Sequence, residues 1–315
     1  MNRRKFLISA AAAGLAFPLE ARGAGGSGME RRRLGRTGER LSVIGLGGIV
    51  LIGQDQEKAN RTVADAIDRG VNYFDVAPSY GGGEAERKMG AALKGRRDKV
   101  FLACKTAYRD AEGASAELAT SLARLQTDHF DLYQLHGLAN TDDVDKALSD
   151  GGAIETLVEA RKQGKVRYLG FSAHSVDAAL AAMDRFDFDT VLFPVNWACY
   201  FQGNFGPQVV EVARKKGVGV LTLKAMARCP WAKGEERQYP KCWYKPEPDP
   251  ETAALALRFT LSEPITSTVP PGDERLFELS LKIAQRLQPL SKEERDRLKS
   301  LSEGIEPIFR HTGGV

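Results

Sequence analysis

Four residues with side chains able to hold or move a proton recur at one kind of place along the chain. Asp75, a carboxylate, ends the run Asn72-Tyr73-Phe74, and a phenol, Tyr80, follows five residues later. Lys105, an amine, ends Leu102-Ala103-Cys104, and His136, an imidazole, ends Leu132-Tyr133-Gln134-Leu135. These are the side-chain types of general acid–base chemistry. Singly, each has a structural explanation: Asp75 caps a turn, Lys105 is solvated, and a lone histidine is more often structural than catalytic. All four stand at or just after the ends of apolar runs, which makes coincidence a poor account.

Something must bring those ends together. From residue 41 onward, short β-branched runs alternate with amphipathic stretches of 10–15 residues, the pattern of βα units and a parallel sheet. Strand candidates are 42–46, 71–75, 99–104, 130–135, 166–170, 190–194, 218–223 and 265–269. Helix candidates near 56–69, 84–94, 114–125, 151–163, 175–184, 206–216, 250–262 and 273–287 lie between them. Eight of each in strict order predict an α/β fold, the (β/α)8 TIM barrel, with the four polar residues at one mouth. Residues 29–41 predict an N-terminal hairpin around Thr37-Gly38, capping the barrel bottom, and 291–303 predict a last helix. Residues 227–250 hold Pro230, Pro240, Pro246, Pro248 and Pro250 with Trp231, Tyr239, Trp243 and Tyr244. That proline density excludes helix and central strand. The stretch follows the seventh strand, so it is expected as a Pro/aromatic-rich loop over the mouth. Trp197, Trp231, Tyr239, Trp243 and Tyr244 suggest an aromatic-walled pocket, with Trp197, Trp231 and Trp243 as the expected substrate contacts.

The chain has 315 residues, 43% hydrophobic and 27% charged, with a net charge of +4. This is a globular composition, and the balance gives no argument for a nucleic-acid partner. The charge is uneven, because residues 1–24 carry a net +3. Residues 2–8 read Asn-Arg-Arg-Lys-Phe-Leu-Ile, and the apolar stretch Phe6–Phe17 is too short to span a bilayer as a helix. A basic start, a short apolar middle and small residues after it predict an export signal. The paired arginines resemble a twin-arginine (Tat) signal. The expected organisation is a signal over 1–27 and one barrel over 28–315. The Tat translocon is then a partner during export, the mature form is periplasmic or otherwise exported, and it keeps no stable membrane span.

The body of the chain resembles the aldo-keto reductase family over about residues 31–290. The resemblance rests on Leu34-Gly35-Arg36-Thr37-Gly38, Gly45-Leu46-Gly47-Gly48, Phe74-Asp75 through Tyr80-Gly81, Ser121-Leu122 with Leu125, Asp128 to His136, and Gly164-Lys165-Val166-Arg167 to Gly170-Phe171-Ser172. It implies NAD(P)H-dependent interconversion of an aldehyde or ketone and an alcohol. Tyr80 would be the general acid; a phenol ordinarily titrates near 10 and needs help at neutral pH. By the same resemblance Lys105 would favour the phenolate, Asp75 would hold Lys105, and His136 would orient the substrate carbonyl. The hydride would come from a nicotinamide across the mouth.

The resemblance also places a cofactor, NADP(H) or NAD(H), on Gly47, Gly48, Ser172, Asn196, Lys224, Pro270, Gly272 and Arg275. Glycine lets a backbone approach a phosphate, and the helix opening after Gly272 offers free amides. Departures from the family pattern accompany this. Asp273 and Glu274 precede Arg275 where a basic or hydroxyl residue usually holds a 2′-phosphate, and acidic residues suit a ribose diol instead. Ala173 follows Ser172 where an asparagine is usual, Leu192 stands for a glutamine, and Thr222-Leu223-Lys224 replaces a stacking tyrosine. Asn196 and Trp197 are candidates to replace the lost contacts, and Lys224 to meet the pyrophosphate. These departures leave open a cofactor-sensing barrel with little turnover, or an exported oxidoreductase with permanently bound cofactor. The substrate expected is a small carbonyl compound or a sugar. Cys104, Cys199, Cys229 and Cys242 form no C-x-x-C pair, which argues against a metal site. An exported chain permits a Cys229–Cys242 disulfide stapling the loop.

Overall fold

The computed structural model describes residues 28–313; the expected signal over 1–27 lies outside the described residues. A hairpin comes first, β1 (Arg31–Arg33) against β2 (Arg40–Ser42), antiparallel, turning through Thr37-Gly38. The barrel strands follow: β3 (Gly45–Gly47), β4 (Tyr73–Asp75), β5 (Phe101–Thr106), β6 (Phe130–Leu138), β7 (Val166–Ala173), β8 (Thr190–Pro194) and β9 (Gly219–Leu223). A two-stranded ribbon, β10 (Ala227–Pro230) with β11 (Tyr244–Pro246), interrupts before the last barrel strand, β12 (Ser267–Val269). The eight barrel strands pair in parallel and in chain order from β3 to β9, with β12 beside β9. A parallel bridge between Ile44 and Thr268 brings the last strand back to the first. This is the (β/α)8 barrel that the sequence pattern predicts.

Strand alternation decides what fills the barrel. Tyr73, Phe101, Ala103, Leu132, Leu192 and Leu221 form one buried interior cluster, which Leu34 and Leu41 of the hairpin join from below. The hairpin is therefore a hydrophobic plug. Two residues further along the same strand faces, polar groups replace apolar ones: Asp75 after Tyr73, Lys105 after Ala103, Gln134 and then His136 after Leu132. Intervening residues such as Phe74, Cys104 and Tyr133 point outward into the larger core under the helices.

The helices start where the sequence supplies acceptors for free amides. Asp55, Asp110, Asn140, Ser175, Asp249 and Ser291 each accept a backbone N–H at a helix N-terminus. Helix Pro207–Lys216 opens on Pro207 and ends on left-handed Gly217. Helices Thr141–Leu148 and Trp197–Gln202 have no counterpart among the sequence expectations; each is short and follows a strand directly. The proline-rich stretch also differs from expectation by forming the β10–β11 ribbon. The ribbon stands outside the barrel, so its prolines break no barrel ladder.

Candidate active site

The loops at the C-terminal ends of the strands enclose a cleft of about 250 Å3. Asp75, Tyr80, Lys105 and His136 all line it. The carboxylate of Asp75 is saturated. It accepts Lys105 Nζ at 2.5 Å, the Tyr73 hydroxyl at 3.1 Å and the Gln134 amide at 3.4 Å. Lys105 Nζ also donates to the Val76 carbonyl at 3.1 Å and to Tyr80 Oη at 3.4 Å. A single chain of contacts thus runs from a buried carboxylate through an ammonium to a phenol at the cleft. Tyr73 and Gln134 were not singled out from the sequence. Their signal is spacing, since each lies two residues before an expected site residue on the same strand face.

Local sequence aims each group. Tyr80 sits on a turn whose amide donates to Ala77 O at 3.0 Å. Gly81, Gly82 and Gly83 follow, all with left-handed backbone, before helix Glu84–Leu93 begins. Side chains carrying Cβ resist three consecutive residues of that kind. On β6 the ladder to β7 pairs Leu135 with Phe171 and Leu138 with Ala173, so one extra residue bulges out of β6. His136 and left-handed Gly137 form that bulge, a device that re-aims a side chain beside a site. Arg109 donates to His136 O at 2.9 Å, and Gly137 N donates to Ser172 Oγ at 2.7 Å, fixing the bulge from both sides. The Tyr80 and His136 rings meet edge to face with centroids 6.0 Å apart.

Electrostatics agrees with the expected direction of Lys105's influence and sets its limit. Burial is the largest influence on Tyr80 and raises its pKa; Lys105 pulls it down, and the net direction is up. Lys105 tempers the phenol without making it a phenolate, so Tyr80 keeps its proton at neutral pH. Burial is the largest influence on Lys105 and opposes its charge, but Asp75, Tyr80 and Cys104 together outweigh it and the pKa rises. Burial and then Lys105 hold His136 down at about 3, leaving a neutral imidazole.

The expected cofactor residues divide. Gly47, Ser172, Lys224, Pro270 and Gly272 line the cleft. Gly48 instead packs on Val76, whose Cγ2 lies 2.8 Å from where a Cβ would stand. Asn196 does not face the cleft. It caps helix Trp197–Gln202 through Cys199 N and donates to the carbonyls of Lys224 at 3.0 Å and Ala227 at 2.5 Å. Trp197 is fully buried against Leu255, Phe259 and Leu298, away from the mouth. Trp231 is spent on the ribbon, donating to Cys242 O at 2.9 Å. Of the five expected aromatic walls, Trp243 and Tyr244 line the cleft, and Tyr239 lies under Arg275 instead.

Arg275 also departs from expectation. Asp273 caps helix Glu274–Gln285, accepting Arg275 N at 3.0 Å, Arg275 Nε at 3.0 Å and Nη2 at 3.1 Å. Arg275 further donates to Gln238 O and lies over the Tyr239 ring. The helix terminus and the guanidinium expected to hold a phosphate are already bound to a carboxylate. Gly272 carries its own packing reason, since a Cβ there would stand 2.2 Å from Ile49 Cγ2. The Cys229 and Cys242 thiols are free. In the ribbon Cys229 faces Lys245, so Cys242, three residues earlier, is not its cross-strand partner.

Two basic cleft residues, Lys241 and His174, were not among the expected site residues. Lys241 reaches the Gly272 end from the ribbon and donates to Val50 O at 3.0 Å. His174 lines the opposite part beside Lys224, with the Lys224 Nζ–His174 Nε2 distance at 3.1 Å. For a dinucleotide, Ser172 at one end and Lys241 with Gly272 at the other are suitable contacts. The Asp273-capped terminus does not fit a 2′-phosphate.

A family model described as "Aldo/keto reductase family" matches residues 43–303. An uncharacterized oxidoreductase of Bacillus subtilis is 27% identical over 304 residues, covering 86% of this chain and 96% of its own. L-galactose dehydrogenase of Arabidopsis thaliana is 26% identical over 313 residues, covering 89% and 95%. Among solved structures, the holo form of an aldo-keto reductase from Bacillus halodurans superimposes with a TM-score of 0.70 at 25% identity. That superposition covers 89% of this chain and 98% of the other.

Proposed function

The chain belongs to the aldo/keto reductase family and is an oxidoreductase of it, and from that premise we propose that it reduces a small aldehyde or ketone, with Tyr80 as the proton donor. The observation that carries this reading is the continuous contact from Asp75 through Lys105 to Tyr80, opening into a cleft that His136 also faces. The carbonyl oxygen sits between the Tyr80 hydroxyl and the neutral His136 imidazole, which donates a hydrogen bond and orients it. Tyr80 Oη gives its proton to that oxygen as negative charge develops, and Lys105 stabilises the phenolate left behind. Asp75 keeps Lys105 in place and charged. The bound nicotinamide supplies hydride.

The cofactor proposed is NADH in preference to NADPH, because Asp273 occupies the helix terminus and neutralises Arg275. A ribose diol donates hydrogen bonds to a carboxylate; a 2′-phosphate is repelled by it. Ser172 takes the nicotinamide end and Lys241 the diphosphate. The test is carbonyl-dependent oxidation of NADH and NADPH by wild-type protein and by Tyr80→Phe. Activity that vanishes in the variant, with cofactor binding intact, supports the reading. A Tyr80→Phe variant that turns over at the wild-type rate ends it.

The same proposal extends to location. The basic, arginine-paired start and short apolar stretch of residues 1–24 support export through a twin-arginine route. Fractionation of cells expressing the full chain tests it; exclusive recovery with the cytoplasm counts against it.

A further inference from the structure

Lys224 is buried, follows β9 directly and stands in a left-handed backbone conformation with φ of 65°. A lysine held that way is strained, and the surroundings must over-determine it. Asn196 does so, with its amide on the carbonyls of Lys224 and Ala227. The result is an amine directed into the cleft that contains Tyr80 and His136.

Among the described residues no carboxylate pairs with this amine. Its polar partner is His174, whose pKa burial and then Lys224 hold at about 3, so the imidazole is neutral and its Nε2 accepts a hydrogen bond from the ammonium. The Trp243 and Phe309 rings flank it, each centroid 5.7 Å from Nζ. His174 is itself stacked on Phe309, 5.3 Å between centroids and 12° between planes. The other lysines at the cleft are accounted for: Lys105 by Asp75, Lys241 by the Val50 carbonyl and the nearby charges of Asp273 and Glu274. Among the described residues neither Lys241 nor Lys224 forms an ion pair, but Lys241 has an oxygen partner and two carboxylates nearby, whereas the polar partner of Lys224 is a neutral imidazole. Its burial pulls its pKa to about 7, the direction an arriving anion would reverse.

The location selects the anion's source. His174 N donates to Leu138 O at 3.2 Å, two residues beyond His136, so the Lys224–His174 pair stands beside the His136 bulge at the reacting end of the cleft. Lys241 serves the Gly272 end. We propose that Lys224, oriented by His174 and walled by Trp243 and Phe309, is the receptor for a carboxylate carried by the substrate, so that the preferred substrates are carbonyl acids. This specificity rests on the reductase reading above and deepens it.

Binding tests it without turnover. Benzoate and benzamide, matched in size and unreactive, are titrated by calorimetry into wild-type protein, Lys224→Met and Lys224→Arg. Wild type prefers benzoate. In Lys224→Met benzoate binding weakens about 10- to 100-fold, the worth of one charge-assisted hydrogen bond, while benzamide changes less than about twofold. Lys224→Arg keeps the preference, which separates loss of charge from misfolding. Equal weakening of both probes, or a wild type indifferent to charge, overturns the proposal. So does a Lys224→Met variant that loses NADH affinity but keeps its benzoate preference, since that assigns the amine to the cofactor's diphosphate. Turnover of 4-carboxybenzaldehyde against the neutral, isosteric 4-nitrobenzaldehyde completes the experiment. Charge-selective binding with no turnover of either aldehyde overturns the reductase reading and leaves the carboxylate receptor standing.

Discussion

Replacing Asp75 by asparagine keeps its shape and removes its charge. The consequences follow from three donors, the Lys105 ammonium at 2.5 Å, the Tyr73 hydroxyl at 3.1 Å and the Gln134 amide at 3.4 Å. The two ionic side chains are 1% and 4% exposed, so water cannot take over the task of the carboxylate. Removing one partner of such a pair costs about 3–5 kcal/mol, because the other charge stays buried without compensation. Lys105 recovers part of this by releasing its proton, the direction in which burial drives an unpaired amine. Removing both charges recovers more, since an apolar replacement of a buried pair is often neutral. Asp75→Asn is therefore expected to lose about 3–5 kcal/mol in urea unfolding, and Asp75→Asn with Lys105→Met to lie closer to wild type than the single variant does. Unfolding midpoints of the four proteins in this double-mutant cycle measure the coupling. Losses that simply add would refute the reasoning. They would mean that the Val76 carbonyl, and not Asp75, balances the ammonium.

Three further outcomes are expected. Asp273→Ala frees the helix terminus and the Arg275 guanidinium, so kcat/KM with NADPH relative to NADH should rise about tenfold, the worth of one ionic contact; an unchanged ratio removes the basis for the NADH preference. Trp197→Ala should cost about 3–5 kcal/mol and leave KM unchanged, because the indole is buried away from the cleft; denaturation and steady-state kinetics on one preparation check both halves. The pH dependence of stability should carry the mark of Lys224, whose pKa falls from 10.5 in the unfolded chain to about 7 in the fold. Between those values the unfolded chain binds a proton that the fold rejects. The Lys224 contribution to stability then rises with pH across the window by about 1.4 kcal/mol per unit, read as wild type minus Lys224→Met. Of the ionisable groups facing this amine, His174 titrates near 3 and Lys105 is raised, whereas Cys199, raised from 9 to about 11, opposes the rise above pH 9 in both proteins, so the difference between the two curves isolates Lys224. Matching wild-type and Lys224→Met curves from pH 7 to 10 would refute it.

The barrel was legible because its evidence is local. Each βα unit writes its own periodicity, and Asp75, Lys105 and His136 stand at strand ends where a period of two turns apolar interior positions into polar ones. The same periodicity holds Tyr73 and Gln134, which passed unnoticed because a buried tyrosine and glutamine look like ordinary strand residues until the carboxylate between them is seen. The His136 bulge was not legible either. One extra residue on β6 is defined only against the ladder of β7.

The cleft's walls were read less well, and for one reason: tryptophan and asparagine types do not say which way they face. Trp197 and Asn196 follow β8 at the mouth, yet a short helix beginning there turns the indole into a core and spends the carboxamide on backbone. Arg275 stands at the expected spacing, but Asp273 two residues earlier reaches it first.

By itself, then, the order of residues determined the barrel, its plugged bottom and the four polar groups at its mouth, since those follow from spacing within single elements. Only the tertiary structure decided which cations are free. Lys105, Arg275, Lys241 and Lys224 look alike along the chain. Lys105 and Lys241 find oxygen partners from distant segments, Arg275 finds Asp273 two residues away and the Gln238 carbonyl from the loop between β10 and β11, and Lys224, brought against His174, Trp243 and Phe309, finds none among the described residues. Charge compensation depends on distances between elements far apart in sequence, and folding sets those distances.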